Sequence, residues 1–278
     1  MKNWLITGCD KGLGYAMAEA ALKRGDSVAI TLLAKDGKSE LVEKYAGRCH
    51  AFHLDVRDHD AIRRVVSDAE RSLGRIDVLV NNAGYGVIGA AEETTEEEYR
   101  PMFEVNFFGT VEVTKAVLPG MRQRRSGRII CFSSLVGFVA FPGFSLYSAS
   151  KFAVEGFGES LSKEVQPFGI YLTLIEPGGF RTDFAGGSLT RAAMKIDAYS
   201  ETASTKMREY MDTRNGVQPG DPVRLGAAIC QVVDAAEPPL RLPLGADALP
   251  LVEQKAAFVA QEASRWRELS LSTGFDAA

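Results

Sequence analysis

The sequence predicts an α/β fold, a single doubly wound parallel sheet flanked by helices, with residues 1–278 forming one domain. Three observations lead there. Short apolar runs alternate with amphipathic segments along most of the chain, as repeated βα units require. Several of these runs are apolar at nearly every position, as strands covered by helices on both faces must be. A glycine-rich turn follows the first run directly and opens a helical pattern. The bulk numbers agree: 278 residues, 46% hydrophobic and 24% charged, suit one large α/β domain.

Taken in order, the expected strands are Trp4–Thr7, Val28–Leu32, Cys49–Leu54, Val78–Val80, Arg128–Phe132, Tyr171–Ile175 and Leu240–Pro243. The expected helices between them are Leu13–Arg24, Ser39–Tyr45, Ala61–Leu73, Glu96–Leu118, Leu146–Gln166 and Pro222–Ala235. Punctuation supports the boundaries. Gly25 follows Lys23-Arg24 as a helix stop, and Thr95 with Glu98 makes a capping-box pattern. Pro119-Gly120 is expected to interrupt the end of the fourth helix, and Pro167 the end of the fifth. The basic run Arg122–Arg125 suits a helix C-terminus, where cations meet the negative end of the dipole. Two regions depart from the alternation. Residues 182–215 lack an expected strand, and 183–215 read as a lid over a site. Residues 246–271 read as a C-terminal extension, with one amphipathic helix over Leu249–Leu271.

Composition narrows the function. A net charge of −4 without a Lys/Arg block gives no support for nucleic-acid binding. The run after Met1 is too short for a signal peptide, and no stretch reaches the ~18–20 apolar residues of a membrane span. Cys9, Cys49, Cys131 and Cys230 are scattered without metal-ligand spacing, so the expectation is reduced structural thiols in a cytoplasmic protein. His50, His53 and His59 cluster around one strand, where alternation and solvation explain them, and no metal is assigned.

The glycine-rich turn is Thr7-Gly8-Cys9-Asp10-Lys11-Gly12-Leu13-Gly14. Gly8, Gly12 and Gly14 allow a tight turn and close backbone approach, and the helix start offers N–H groups and a positive dipole end to a pyrophosphate. A plain βα turn would need the same glycines for backbone reasons. At the end of the second strand, where a carboxylate often holds ribose hydroxyls, stand Leu32-Leu33-Ala34-Lys35. With no acid there, Lys11 and Lys35 are candidates for a 2′-phosphate, so NADP(H) is favoured and NAD(H) remains possible. Asp55, with Val56 after it at the end of the third strand, is placed to accept from an adenine amino group. Asn82, Ala83 and Gly84 then supply small and amide groups where a dinucleotide must pass.

Tyr147 and Lys151 stand four apart, on one face of a helix. A phenol keeps its proton to about pH 10, and a cation beside it brings that pKa down toward working pH. This is the pairing that a general acid/base needs.

With Thr-Gly-x-x-x-Gly-x-Gly, Asn-Asn-Ala-Gly and Tyr-x-x-x-Lys in this order, residues 3–245 resemble a short-chain dehydrogenase/reductase. Tyr147–Gly156 and Pro177–Phe184 are similar to its hydroxysteroid- and retinol-dehydrogenase-like branch. The resemblance implies a Rossmann-like fold and a catalytic tetrad. Ser134 is its serine, thirteen residues before Tyr147, with Ser133 as the fallback, and Asn106 is its asparagine. It also implies that Pro177, Gly178 and Thr182 line the nicotinamide, and that Tyr147 and Lys151 reach the cofactor. Asp10 departs from the serine that many relatives carry.

The resulting expectation is hydride transfer between NADP(H) and the carbonyl or alcohol carbon of an apolar small molecule, with Tyr147 as acid/base. Ser134 would position the oxygen, Lys151 would lower the tyrosine pKa, and Asn106 would hold a relay water. NAD-dependent oxidation of a secondary alcohol is the alternative, and a non-catalytic dinucleotide sensor a more distant one. Phe138, Val139, Phe141, Phe144, Phe180 and Phe184 are candidates for an apolar pocket. By the same resemblance a homo-oligomer, dimer or tetramer, is expected through the helices that carry Asn106 and Tyr147.

Overall fold

The computed structural model describes residues 1–34 and 38–275. Seven parallel strands form its main sheet: β1 (Asn3–Ile6), β2 (Ser27–Leu32), β3 (Cys49–His53), β4 (Val78–Asn81), β6 (Gly127–Phe132), β7 (Ile170–Pro177) and β9 (Arg241–Leu244). Their spatial order is β3-β2-β1-β4-β6-β7-β9. The order reverses direction between β1 and β4, which opens a crevice at their C-terminal ends.

Alternation along each strand divides the core into two layers. Trp4, Ile6, Val28 and Ile30 face α1 (Gly12–Lys23) and α9 (Pro222–Asp234), with Leu41 of α2 (Glu40–Lys44) at the edge. Leu5, Ala29, Leu79 and Ile129 face the other side. There they meet α3 (His59–Leu73), α5 (Thr110–Arg124) and α6 (Ser145–Val165). Cys9, Cys49, Cys131 and Cys230 are free and buried in these layers.

Four local expectations need correction. The fourth helix is not continuous from Glu96. It runs as α4 (Glu96–Phe103), widens to a π-helical turn over Glu104–Gly109, and resumes as α5. It also passes Pro119-Gly120 and ends at Arg124, because a proline removes only one ladder bond and sheet packing retains the rest. Within 182–215 lies a strand after all, β8 (Leu189–Arg191), pairing parallel with β5 (Gly86–Ile88). Three residues are too few to show a periodicity, so both escape a pattern search. Helices α7 (Phe184–Gly187) and α8 (Ala203–Asp212) complete that segment. Finally, the tail is two helices, α10 (Ala248–Arg265) and α11 (Arg267–Leu271), divided at Trp266.

The capping box holds, with the Thr95 N–H donating to the Glu98 carboxylate at 2.9 Å. As expected, α6 stops before Pro167, at Val165. No helix among the described residues is long and apolar enough to cross a membrane.

Candidate active site

At the C-terminal ends of β1 and β4 the backbone is drawn tight. Gly8 takes φ +69°, and a Cβ there would stand 2.9 Å from the Ala83 Cα. A Cβ on Gly14 would stand 2.3 Å from the Gly8 carbonyl oxygen and 2.6 Å from the Asn82 amide nitrogen. The Asn82 amide donates to the carbonyls of Thr7 and Gly8, both at 2.9 Å. Thr7 completes the joint, its hydroxyl accepting from the N–H groups of Asn82 and Ala83 at 3.0 Å each. Sequence reasoning quoted Thr7 within the motif but gave it no role. Lys11 precedes the first turn of α1, and no side chain caps that helix start. Open N–H groups at a positive helix end, with no Cβ in the way, fit a dinucleotide pyrophosphate. Leu13 packs inward against the first core layer.

The rim of this turn carries charge. The Asp10 carboxylate accepts from the N–H groups of Leu33 and Ala34 at 3.0 Å. It thus stands at the end of β2, where the sequence offered no acid in the usual place. Lys11 pairs with Asp183 across the cleft. Lys35 lies outside the described residues. Asp55 is engaged by the Arg57 guanidinium, 2.6 Å from its Oδ2, which holds its carboxyl below the usual range. Val56 is buried and packs against Gly109. Across the cleft, Pro177 ends β7 and the Gly178 N–H donates to the Leu244 carbonyl at 2.9 Å. The Thr182 hydroxyl accepts from the Phe184 N–H at 3.3 Å, and its side chain lies beside Gly12.

The four tetrad candidates come together behind this turn. Tyr147 and Lys151 lie one turn apart on the buried face of α6. Burial pushes the Tyr147 phenol up to about 12, and a hydrogen bond with the Ser134 side chain opposes the rise. Of the two serines, Ser134 lies on the Tyr147 side, whereas the Ser133 side chain lies towards Glu155. The Lys151 ammonium donates to the Phe132 carbonyl at 2.9 Å and lies 6.0 Å from the centre of the Tyr147 ring. Burial pushes it down to about 8, against the opposing influence of Cys131 and Glu155. Desolvation is thus the leading cause for both groups.

Asn106 sits in the π-helical turn. Its amide clamps Tyr85, accepting from the N–H at 3.0 Å and donating to the carbonyl at 2.9 Å. It also donates to the Ser150 hydroxyl at 3.1 Å, which in turn donates to the Tyr147 carbonyl at 2.7 Å. Ser150 was not singled out by the sequence, although it lies inside the Tyr-x-x-x-Lys segment. Gly84 marks the junction, since a Cβ there would stand 3.0 Å from the Asn106 oxygen and 3.4 Å from the Lys151 ammonium.

Around the Tyr147 ring the walls are apolar. Phe144 and Phe184 each lie 5.9 Å from it, centre to centre. Val87, Leu189, Met207 and Phe141 pack in the same cluster. The β5–β8 pair brings part of this wall, which explains why Val87 and Leu189 were missed. Phe138 and Val139 lie outside this cluster, and Phe180 turns away to the first core layer.

Comparison with known proteins agrees with this geometry. The family model described as "short chain dehydrogenase" matches residues 2–192. The chain is 39% identical to the oxidoreductase BOA17 of Botryotinia fuckeliana, over 98% of this chain and 99% of that protein. It is also 39% identical to a 3-ketodihydrosphingosine reductase of Bacteroides thetaiotaomicron, over 90% and 88% respectively. Among solved structures, a short-chain dehydrogenase from Streptomyces avermitilis superposes with a TM-score of 0.91 at 41% identity, covering 99% of this chain and all of that one. The closed form of a serine dehydrogenase complexed with NADP+ superposes with a TM-score of 0.73 at 25% identity, covering 87% and 94%.

Proposed function

The chain belongs to the short-chain dehydrogenases, and from that premise we propose that it transfers hydride between NADP(H) and the carbonyl or secondary alcohol of an apolar small molecule. The observation that carries this reading is the pairing of Tyr147 and Lys151 one turn apart on the buried face of α6, with Phe144, Phe184 and Leu189 walling the phenol. When bound, the nicotinamide supplies or accepts the hydride.

In the reductive direction Tyr147 donates its proton to the substrate oxygen as negative charge develops there. A phenol pushed up to about 12 holds that proton at neutral pH. Ser134 donates to the same oxygen and orients it. Lys151, held on the Phe132 carbonyl, keeps a cation beside the cleft, and Asn106 holds the Tyr85 backbone that forms its floor. In the oxidative direction Tyr147 must first lose its proton, so rising pH favours oxidation. Replacing Tyr147 with Phe should lower turnover about 10²–10⁴-fold while coenzyme binding persists. Near-normal turnover of an apolar ketone by that variant would overturn the assignment.

Lys11 favours NADP(H), because it is a cation at the rim within reach of a 2′-phosphate. A second reading, NAD(H)-dependent alcohol oxidation, is favoured by Asp10. Its carboxylate on the Leu33 and Ala34 N–H groups would accept from ribose hydroxyls and repel a phosphate. The ratio of NADPH to NADH affinities separates the two.

A further inference from the structure

We propose that the C-terminal helix α10 pairs antiparallel with the same helix of a second copy of this chain. The helix leaves β9 with its first residue, Ala248, buried and with Leu251 and Val252 half-buried against the body. The same stripe then runs off the edge of the molecule. Phe258 and Val259 on α10, Trp266 at its end and Leu269 on α11 follow and are 53%, 52%, 54% and 60% exposed. An apolar stripe of this kind normally meets a partner surface.

Two charges interrupt the stripe, and they identify the partner. Lys255 and Glu262 lie on it seven residues apart, symmetric about the level of Phe258 and Val259. An antiparallel pair with its two-fold axis at that level sets Lys255 of each copy against Glu262 of the other, twice. It also sets Leu251 against Trp266 of the second copy, so each exposed end lands on the other's root. A parallel pair would instead place lysine on lysine and glutamate on glutamate. Charged positions within an apolar seam fix register and orientation in this way. In the free chain Lys255 lies over the Phe258 ring, with its ammonium 5.4 Å from the ring centre. A lipid surface fits less well, because Glu262 would be pressed into it mid-face. This contact is separate from the helices that carry Asn106 and Tyr147, and it uses an isologous two-fold as closed dimers do.

The four native cysteines are buried, so an engineered thiol on this helix reports alone. Under mild oxidation the full-length Val259→Cys variant should form a disulfide-linked dimer, while Ala257→Cys, on the opposite face, should not. Adding Lys255→Glu to Val259→Cys should slow that cross-linking about fivefold, and adding Glu262→Lys as well should restore it. Equal cross-linking at 257 and 259, or failure of the charge swap to restore the rate, would overturn the proposal. So would Trp266-dependent sedimentation with phosphatidylcholine/phosphatidylglycerol vesicles by a chain that Val259→Cys leaves uncross-linked.

Discussion

Lys151 and Lys11 face the same cleft under opposite conditions. Lys151 is 4% exposed, held on a strand carbonyl, and its pKa is pushed down by burial. The Lys11 side chain is 55% exposed and pairs with Asp183, itself 46% exposed, an ion pair of little worth in water. The buried lysine is fixed between α6 and the Phe132 carbonyl of β6. The rim lysine exchanges Asp183 for another anion at small cost. Substitutions near Tyr147 should therefore act all or none, whereas those at the rim should act by degrees.

The strongest way to break that contrast is Lys151→Met. Turnover should fall about 10²–10⁴-fold. Stability at neutral pH should not fall with it, because the native fold pays to keep a desolvated ammonium charged. Thermal unfolding alongside steady-state kinetics would check this. A large drop in Tm would mean that Lys151 is chiefly a structural strut and that the contrast is misplaced.

Gly14→Ala should come next. The new methyl meets the Gly8 carbonyl and the Asn82 amide, whose bonds hold the turn closed. Opening the turn should cost about 1–3 kcal/mol of stability and weaken coenzyme binding, measured by fluorescence titration. Unchanged binding would show that the turn has slack. At the rim, Lys11→Ala should reduce the preference for NADPH over NADH about tenfold, and Asp10→Asn should raise it by a similar factor. A preference that neither change moves would place the selectivity elsewhere.

Tyr147 and Lys151 were legible because they fall in one contiguous word, whereas Ser134 and Asn106 came only from the family resemblance. The sheet was equally legible, since strands buried on both faces leave unbroken apolar runs such as Val28–Leu32. What escaped depended on partners distant in sequence. Asp10 reaches the end of β2 only because the turn places it beside Leu33, and Lys11 meets Asp183 across 172 residues of chain. Val87 and Leu189 reach Tyr147 through strands of three residues, too short for any period to register. Spacing shows that a cation is near Tyr147, not how much water both groups have lost.

That loss of water extends behind the catalytic helix, and its smallest expected consequence is testable at Glu176. This residue is 0% exposed, and neither carboxylate oxygen has a hydrogen-bond partner among the described residues. Arg241 stands 3.7 Å away but donates to Glu155 and Glu159, at 2.9 and 2.6 Å. Burial pushes the Glu176 carboxyl up to about 7, the Glu155 charge adds to the rise, and Arg241 opposes it. A folded pKa above the ordinary value of 4.5 means that the native state binds the proton more tightly. Its contribution to stability is thus complete below about pH 4.5 and is lost as pH rises through about 7. Glu176→Gln cannot ionise, so its Tm should match the wild type only below about pH 4.5 and should exceed it increasingly as pH rises from there to 8. Curves that stay parallel from pH 5 to 8 would mean that Glu176 is ionised throughout. Burial would then set the protonation of Lys151 and Tyr147 without governing the cluster behind them.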